Sequence, residues 1–120
     1  MRGYFSMILH AHLPYVRHPE YEEFLEEDWL YEAISETYIP LLNMFENLTR
    51  DKIPWSITMN MSGTLSNMLN DELLRSRYEV SLNKSLELCR LEVERLKDQE
   101  ELLNVAKFNL NFFKRAKETF

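Results

Sequence analysis

The sequence predicts an α/β fold in which two short strands are each followed by helices, as the opening part of a larger β/α domain. Residues 4–9 and 53–61 are short, largely apolar segments without helical spacing, which is typical of buried strands. Between and after them, apolar residues recur every three or four positions, as on one face of a helix. Strands that alternate with helices favour parallel pairing through crossover connections.

The expectation of a larger domain follows from the small number of strands. Two strands do not form a sheet that is buried on both faces, because several more are needed to cover them. The apolar spacing also continues to Phe120 without a residue that signals the end of a helix. We therefore expect residues 1–120 to form one unit, the first part of such a domain.

Composition narrows the possible classes of protein. The chain has 120 residues, 45% of them hydrophobic, and a net charge of −6, so a packed core is expected and a nucleic-acid partner is not. The single cysteine excludes an internal disulfide framework. No apolar stretch is long enough for a membrane span and no leader cleavage site is evident, so we expect a cytoplasmic protein.

The first half of the chain predicts a strand, a loop and a helix. Pro14 should end the first strand, and residues 14–27 are expected to form a loop. Asp28 is the candidate N-cap of the helix after this loop. One apolar face of this helix is predicted from residues spaced three or four apart: Leu30, Ile34, Tyr38, Leu41, Phe45 and Leu48. Pro40 either kinks this helix or lies in the first turn of a second one.

The second half predicts a strand and two helices. The second strand spans residues 53–61, and Ser62 or Thr64 is expected to cap the helical region after it. Neither glycine nor proline occurs after Gly63. This region has two apolar helical stripes separated by the polar residues 97–101, which indicates two helices rather than one coiled coil.

His10 and His12 are the candidate functional residues that the spacing itself indicates. Residues two apart on a strand share a face, and at the carboxyl end of a barrel strand that face points into the ligand site. Such imidazoles could bind metal, hold sugar hydroxyls or transfer protons, and the alternative is a structural pair. His18 is expected to be structural or solvated.

The acidic residues cluster in one part of the chain. Nine of them lie between His18 and Thr49 without an intervening Lys or Arg: Glu20, Glu22, Glu23, Glu26, Glu27, Asp28, Glu32, Glu36 and Glu46. A run of this kind is usually a solvated face or loop. Met59, Met61 and Met68 are assigned to packing and Cys89 to an inert role. Phe108, Phe112 and Phe113 are assigned either to the core of a helix or to a surface that the rest of the larger domain would cover.

The chain resembles glycoside hydrolase family 57, and specifically its 1,4-α-glucan branching enzyme type. Residues 3–20, GYFSMILHAHLPYVRHPE, contain HAHLP, which is similar to the first signature of that family. Residues 26–33, 36–42 and 61–65 also resemble it. The resemblance implies a distorted seven-stranded β/α barrel that acts on α-glucans, either by hydrolysis or by cleaving an α-1,4 bond and transferring the chain to a 6-hydroxyl for glycogen synthesis.

The resemblance also implies which residues contact substrate. His10 and His12 match the signature that lines the glucose subsite, and His12 is the stronger candidate. Trp29 matches a family tryptophan, either as a platform for a sugar ring or as a packed residue where loop meets helix. Asn60 and Ser62 would lie nearby. The catalytic Glu and Asp of the retaining mechanism would fall beyond Phe120, so this chain is expected to have no catalytic residue, metal or cofactor and to be inactive alone.

Two other hypotheses remain open. The chain could be a small helical module that binds a partner or a glucan without catalysis and covers its strand edges by oligomerising. Alternatively, a partner chain could supply the rest of the barrel. The expected partners are therefore an α-glucan and the C-terminal part of the barrel, with no nucleic acid and no membrane.

Overall fold

The protein forms a two-stranded sheet with helices packed on it. The computed structural model describes residues 3–120. The elements, in chain order, are β1 (Ile8–Ala11), α1 (Glu27–Glu32), a π-helical segment (Ala33–Tyr38), α2 (Ile39–Arg50), β2 (Thr58–Met61), α3 (Gly63–Leu69), α4 (Glu72–Arg95) and α5 (Glu100–Thr119).

The two strands pair in parallel, which confirms the predicted pairing. Ile8 lies opposite Thr58 and Ala11 lies opposite Met61. The connection between the strands runs through α1, the π segment and α2, so it is the helical crossover that parallel strands require.

Both strands are shorter than the apolar segments that predicted them. Tyr4 and Phe5, 99% and 85% exposed, precede β1, and residues 53–57 precede β2. The predicted burial on both faces is wrong for these residues: of β1 only Ala11 is buried, and all of β2 is exposed. A two-stranded sheet with helices on one side leaves its other side uncovered. On the helix side, Met59 and Met61 stay exposed because they border an open groove.

The core lies between the sheet and the helices. It combines one residue of β1 with residues of the following loop and of every helical segment: Ala11, Val16, Leu30, Tyr31, Ile34, Ile39, Leu65, Met68, Leu74, Tyr78, Leu82 and Ala116. Met68 is fully buried, so its assignment to packing is confirmed.

Capping residues fix the ends of several helices. Ser62 caps α3 by accepting a hydrogen bond from the backbone N–H of Leu65 at 3.2 Å, as predicted. Asp71 caps α4 in the same way through Leu74, at 3.0 Å. The prediction for Asp28 is wrong: α1 begins at Glu27, with Glu26 in the cap position, so Asp28 lies in the first turn, where its charge favours the helix dipole.

Pro40 lies in the first turn of α2, which confirms the second of the two predicted alternatives. Immediately before it, the N–H of Ile39 donates to the carbonyl of Ile34, five residues back. Proline has no N–H to continue the α-helical pattern, and the widened turns of the π segment lead directly into it.

The long C-terminal region forms the two predicted helices, α4 and α5, which pack against each other as a hairpin. They are separated at residues 96–99, within two residues of the predicted polar break at 97–101. The short helix α3 was not predicted as a separate element. In residues 3–120, no helix has both the length and the apolar character needed to cross a membrane.

Candidate functional site

The two faces of the sheet differ in character. Ala11 is buried against the helices, whereas His10, next to it on β1, is exposed on the opposite face. The parallel register pairs His10 with Asn60, so the side chains of both residues belong to the same open face. The open face of the sheet is therefore polar at the carboxyl ends of both strands.

The helix-facing side of β2 is apolar. Met59 and Met61 line a groove of about 280 Å³ together with side chains of the π segment, α2 and the end of α5, including Phe45 and Phe120. This arrangement agrees with the assignment of Met59 and Met61 to packing, although each remains partly exposed.

The imidazole rings of His10 and His12 stack on each other. Their centroids are 5.9 Å apart and their planes differ by 16°. The prediction that they share a face is confirmed, and both side chains are exposed. Each neutral imidazole has one hydrogen-bond donor and one acceptor, so the pair can bind adjacent hydroxyl groups of one ligand.

Trp29 lies in α1 and is 48% exposed, while its neighbours Leu30 and Tyr31 are buried in the core. The indole ring of Trp29 does not stack on His10 or His12. About half of the indole surface is thus free for a ligand, and the other half is covered. Its role as a sugar platform stays a prediction.

A long loop, residues 12–26, joins β1 to α1 and is anchored on α3, on the cap of α4 and on α4 itself. Val16 is fully buried, and its N–H points to the sulfur of Met68 at 3.4 Å. The guanidinium of Arg17 donates to Asp71 at 2.7 Å. Further along, Lys84 of α4 forms an ion pair with Glu23.

Glu27 is a buried carboxylate, 1% exposed, that the sequence did not single out. Its Oε1 accepts from Arg77 at 2.5 Å and from the N–H of His18 at 3.1 Å, and its Oε2 accepts from the hydroxyl of Tyr31 at 2.9 Å. Burial, and then the hydrogen bond to Glu27, raise the pKa of Tyr31, so its hydroxyl stays protonated. The prediction that the acidic run is solvated is therefore wrong for Glu27.

The partner of Glu27 explains why the local sequence did not reveal it. Arg77 is 50 residues away, and the acidic run itself contains no cation. The available signal was the spacing of Glu27 and Tyr31, four residues apart on one helix face, which places a hydroxyl beside the carboxylate.

His18 is held within the loop, in agreement with its predicted structural role. Its Nδ1 lies 3.2 Å from Glu20 and its Nε2 lies 3.3 Å from Glu26, while its ring packs on Phe24 at a centroid distance of 3.8 Å. Burial acts to lower the pKa of His18, but the hydrogen bonds to the two carboxylates outweigh it, and the pKa rises above its usual 6.5.

The other residues considered in the sequence provide neither a metal site nor a nucleophile in the part of the chain that the structure describes. Over the described residues 3–120, no three His, Cys, Asp or Glu side chains come together as a possible metal site. Burial, and then the charge of Glu92, raise the pKa of Cys89, which keeps its thiol protonated and unreactive. Phe112 and Phe113 pack edge to face on α5, whereas Phe108 is exposed.

Comparison of the sequence with known proteins gives one consistent family. Residues 6–120 match the family described as Glycosyl hydrolase family 57. The chain is 36% identical over 116 residues to a 1,4-alpha-glucan branching enzyme of Thermococcus kodakarensis, and the alignment covers 97% of this chain and 17% of that protein.

Two solved structures have the same arrangement of elements. The alpha-amylase AmyC of Thermotoga maritima superposes with a TM-score of 0.89 at 45% identity, and a GH57-type branching enzyme of the hyperthermophilic archaeon Pyrococcus horikoshii superposes with a TM-score of 0.86 at 33% identity. Each match covers 97% of this chain and 22% of the other. The chain thus spans less than a quarter of the length of these relatives.

Proposed function

The chain belongs to glycosyl hydrolase family 57, and from this membership we propose that it forms the first part of the catalytic barrel of an α-glucan-active enzyme. The reaction we favour is cleavage of an α-1,4 bond followed by transfer to a 6-hydroxyl. It is supported by the similarity to two proteins named as branching enzymes. The similarity to an alpha-amylase makes hydrolysis the competing reaction.

The observation that carries the proposal is the open face of β1. In a β/α barrel, one face of each strand packs against the surrounding helices and the other faces the interior, and substrates bind at the carboxyl ends of the strands. Ala11 packs against the helices, so His10 and His12 face the opposite way, at the carboxyl end of β1. That position supports a role in substrate contact.

In this role the imidazoles hydrogen-bond sugar hydroxyls and orient one glucose ring. Orientation of a bound substrate contributes to the rate because the reacting atoms are held close to their reactive geometry. Asn60, beside His10 on the same face, offers an amide that can bind a further hydroxyl.

The chemistry itself needs two carboxyl groups about 5–5.5 Å apart, one as nucleophile and one as acid and base. Glu27, the buried carboxylate of this chain, is occupied by its bonds to Arg77, His18 and Tyr31. We therefore propose that the catalytic pair comes from other segments of the enzyme and that His10, His12 and Asn60 serve in binding.

The test uses the longest natural polypeptide that contains this segment, assayed on amylose. His12→Ala is expected to lower kcat/KM on the order of 10²-fold, and His10→Ala less, because loss of ring orientation misplaces the scissile bond. Glu92→Gln, an exposed change on α4, serves as the matched control and should leave kcat/KM unchanged.

Product analysis separates the two reactions, because branching creates α-1,6 linkages without new reducing ends and hydrolysis creates reducing ends. Unchanged kcat/KM in both histidine variants would refute the proposed substrate contact. Binding of maltoheptaose without any turnover by the wild-type polypeptide would instead support the non-catalytic glucan-binding module.

A further inference from the structure

We propose that Glu27 and Arg77 are positioning residues whose ion pair holds the loop of residues 12–26, and thereby fixes His12 and Trp29 relative to each other on a bound glucan. The inference rests on the proposed function. His12 begins the loop, and Trp29 lies two residues beyond Glu27, so both candidate ligand contacts are attached to the ends of one segment.

The carboxylate of Glu27 is completely satisfied. Its two oxygens accept hydrogen bonds from a guanidinium, a backbone N–H and a phenol, and the side chain is closed to solvent. These three donors come from α4, from the loop and from α1 itself. A single carboxylate therefore determines how three segments lie against one another.

Arg77 extends the same contact to the backbone of the loop. Besides its bond to Glu27, its Nη1 donates to the carbonyl of His18 at 3.2 Å, and its Nη2 donates to the carbonyl of Tyr21. The planar guanidinium thus holds two backbone carbonyls of the loop and the first turn of α1 at once. A lysine ammonium has no such fork of donors, so it cannot reproduce the arrangement.

The earlier part of the loop is fixed by α3, where the N–H of Val16 points to the sulfur of Met68, and by the cap of α4. Val16 is buried, and Arg17 binds Asp71, the residue that caps α4. The loop is therefore attached to α3 at Val16, to the cap of α4 at Arg17 and to α4 itself through Arg77. Without Arg77 the bonds to the carbonyls of His18 and Tyr21 are lost. The contacts of Val16 and Arg17 remain, as does the exposed ion pair between Glu23 and Lys84.

Energetics favour a role in orientation over one in stability alone. A buried ion pair adds little net stability, because desolvation of both charges offsets their attraction. An apolar pair of similar volume would fill the same space but could not bind the carbonyls of His18 and Tyr21 or the N–H of His18. The contribution specific to the ion pair is therefore its directional hydrogen bonds to the backbone of the loop.

The experiment measures kinetics and geometry in the full natural polypeptide. Glu27→Gln keeps the shape of the side chain and removes its charge, and Arg77→Lys keeps the charge and removes the fork. Both variants are assayed on amylose well below their unfolding temperature. We expect kcat/KM to fall about tenfold, mainly through a higher KM, with the fraction of folded protein unchanged.

A second readout reports on position rather than stability. The enzyme is labelled with 5-fluorotryptophan, and the ¹⁹F resonance of Trp29 is assigned through Trp29→Phe. In Glu27→Gln the Trp29 resonance should shift or broaden, and the shift that maltoheptaose causes in the wild type should diminish. The control pair is Glu92→Gln and Arg95→Lys, which alters an exposed ion pair on the same helix.

The outcomes are distinct. A lower unfolding temperature with unchanged KM, kcat and Trp29 resonance would overturn the inference and leave the pair a purely structural element. If His12→Ala reduces kcat/KM but Glu27→Gln does not, the proposed function stands and the inference fails. If neither His10→Ala nor His12→Ala has an effect, the proposed substrate contact itself fails. Should Arg77→Lys not fold, Glu27→Gln alone decides the question.

Discussion

The hydroxyl groups of Ser35 and Tyr78 lie 2.9 Å apart in the interior and join the π segment to α4. Both residues are buried. Burial raises the pKa of Tyr78, and the hydrogen bond with Ser35 only partly opposes this, so the phenol remains protonated. The pair is thus a neutral polar contact in the interior, in contrast to the charged contact between Glu27 and Arg77.

Tyr78→Phe is expected to lower the free energy of unfolding by about 1–3 kcal/mol, because the buried hydroxyl of Ser35 loses its partner. Urea denaturation measures the change. Adding Ser35→Ala should recover part of the loss, since no buried hydroxyl then lacks a partner. A double variant whose destabilisation equals the sum of the two single effects would show that the hydroxyls do not interact.

Asp71 performs two tasks that two substitutions separate. Its Oδ1 caps α4 and its Oδ2 binds Arg17. Asp71→Asn keeps a good capping residue and loses only the partly exposed ion pair, so it should cost less than about 1 kcal/mol. Asp71→Ala loses both, and the missing cap adds about 0.5–2 kcal/mol. Equal unfolding temperatures for the two variants would contradict this division.

Lys52 occupies the left-handed region, with a φ of 56°, where α2 ends. The N–H of Ile53 binds the carbonyl of Leu48 and that of Lys52 binds the carbonyl of Thr49, which is the hydrogen-bond pattern that usually places glycine here. Lys52→Gly should stabilise the protein by about 0.5–1 kcal/mol, because relief of backbone strain exceeds the added entropy of the unfolded chain. Thermal unfolding tests this, and a lower unfolding temperature would contradict it.

His18 should make stability depend on pH. Its pKa is higher in the folded protein than its usual 6.5, so its contribution is complete below pH 6.5 and is lost as the pH rises through the folded-state value. Glu20 has the opposite sign: its own backbone N–H and then His18 lower its pKa below 4.5, so its contribution is lost in acid. Stability should therefore decline on both sides of an intermediate range.

The measurement is a series of urea denaturation curves from below pH 4.5 to well above pH 6.5. His18→Gln should remove the decline on the alkaline side, because no imidazole is left to lose its proton. An unchanged alkaline decline in this variant would assign the effect to another group.

Local patterns predicted much of the fold and less of the site. The spacing of apolar residues in α4 and α5 reports directly which face is buried, so the helical hairpin was predictable, as were the parallel strands and the shared face of His10 and His12. The π segment was not, because a stripe with steps of four fits α-helical and π-helical turns alike.

The environment of Glu27 could not be derived from its neighbours. Its charge is paired with Arg77, and α2, β2 and α3 lie between the two residues along the chain. The acidic composition around Glu27 predicts a solvated segment. That prediction is correct for Glu22 and Glu23, which are exposed. Long-range pairing of charges has no periodic signature in sequence.

The two ends of the α4–α5 hairpin meet. The ring of Phe120 packs edge-on against Tyr78 at 4.6 Å, and the guanidinium of Arg75 lies 5.6 Å from the same ring. The start of α4 and the end of α5 therefore pack against each other, and the hairpin extends away from this contact. Equal numbers of turns added to or removed from both helices would not move the strands, so related chains can differ in length here while keeping the same sheet.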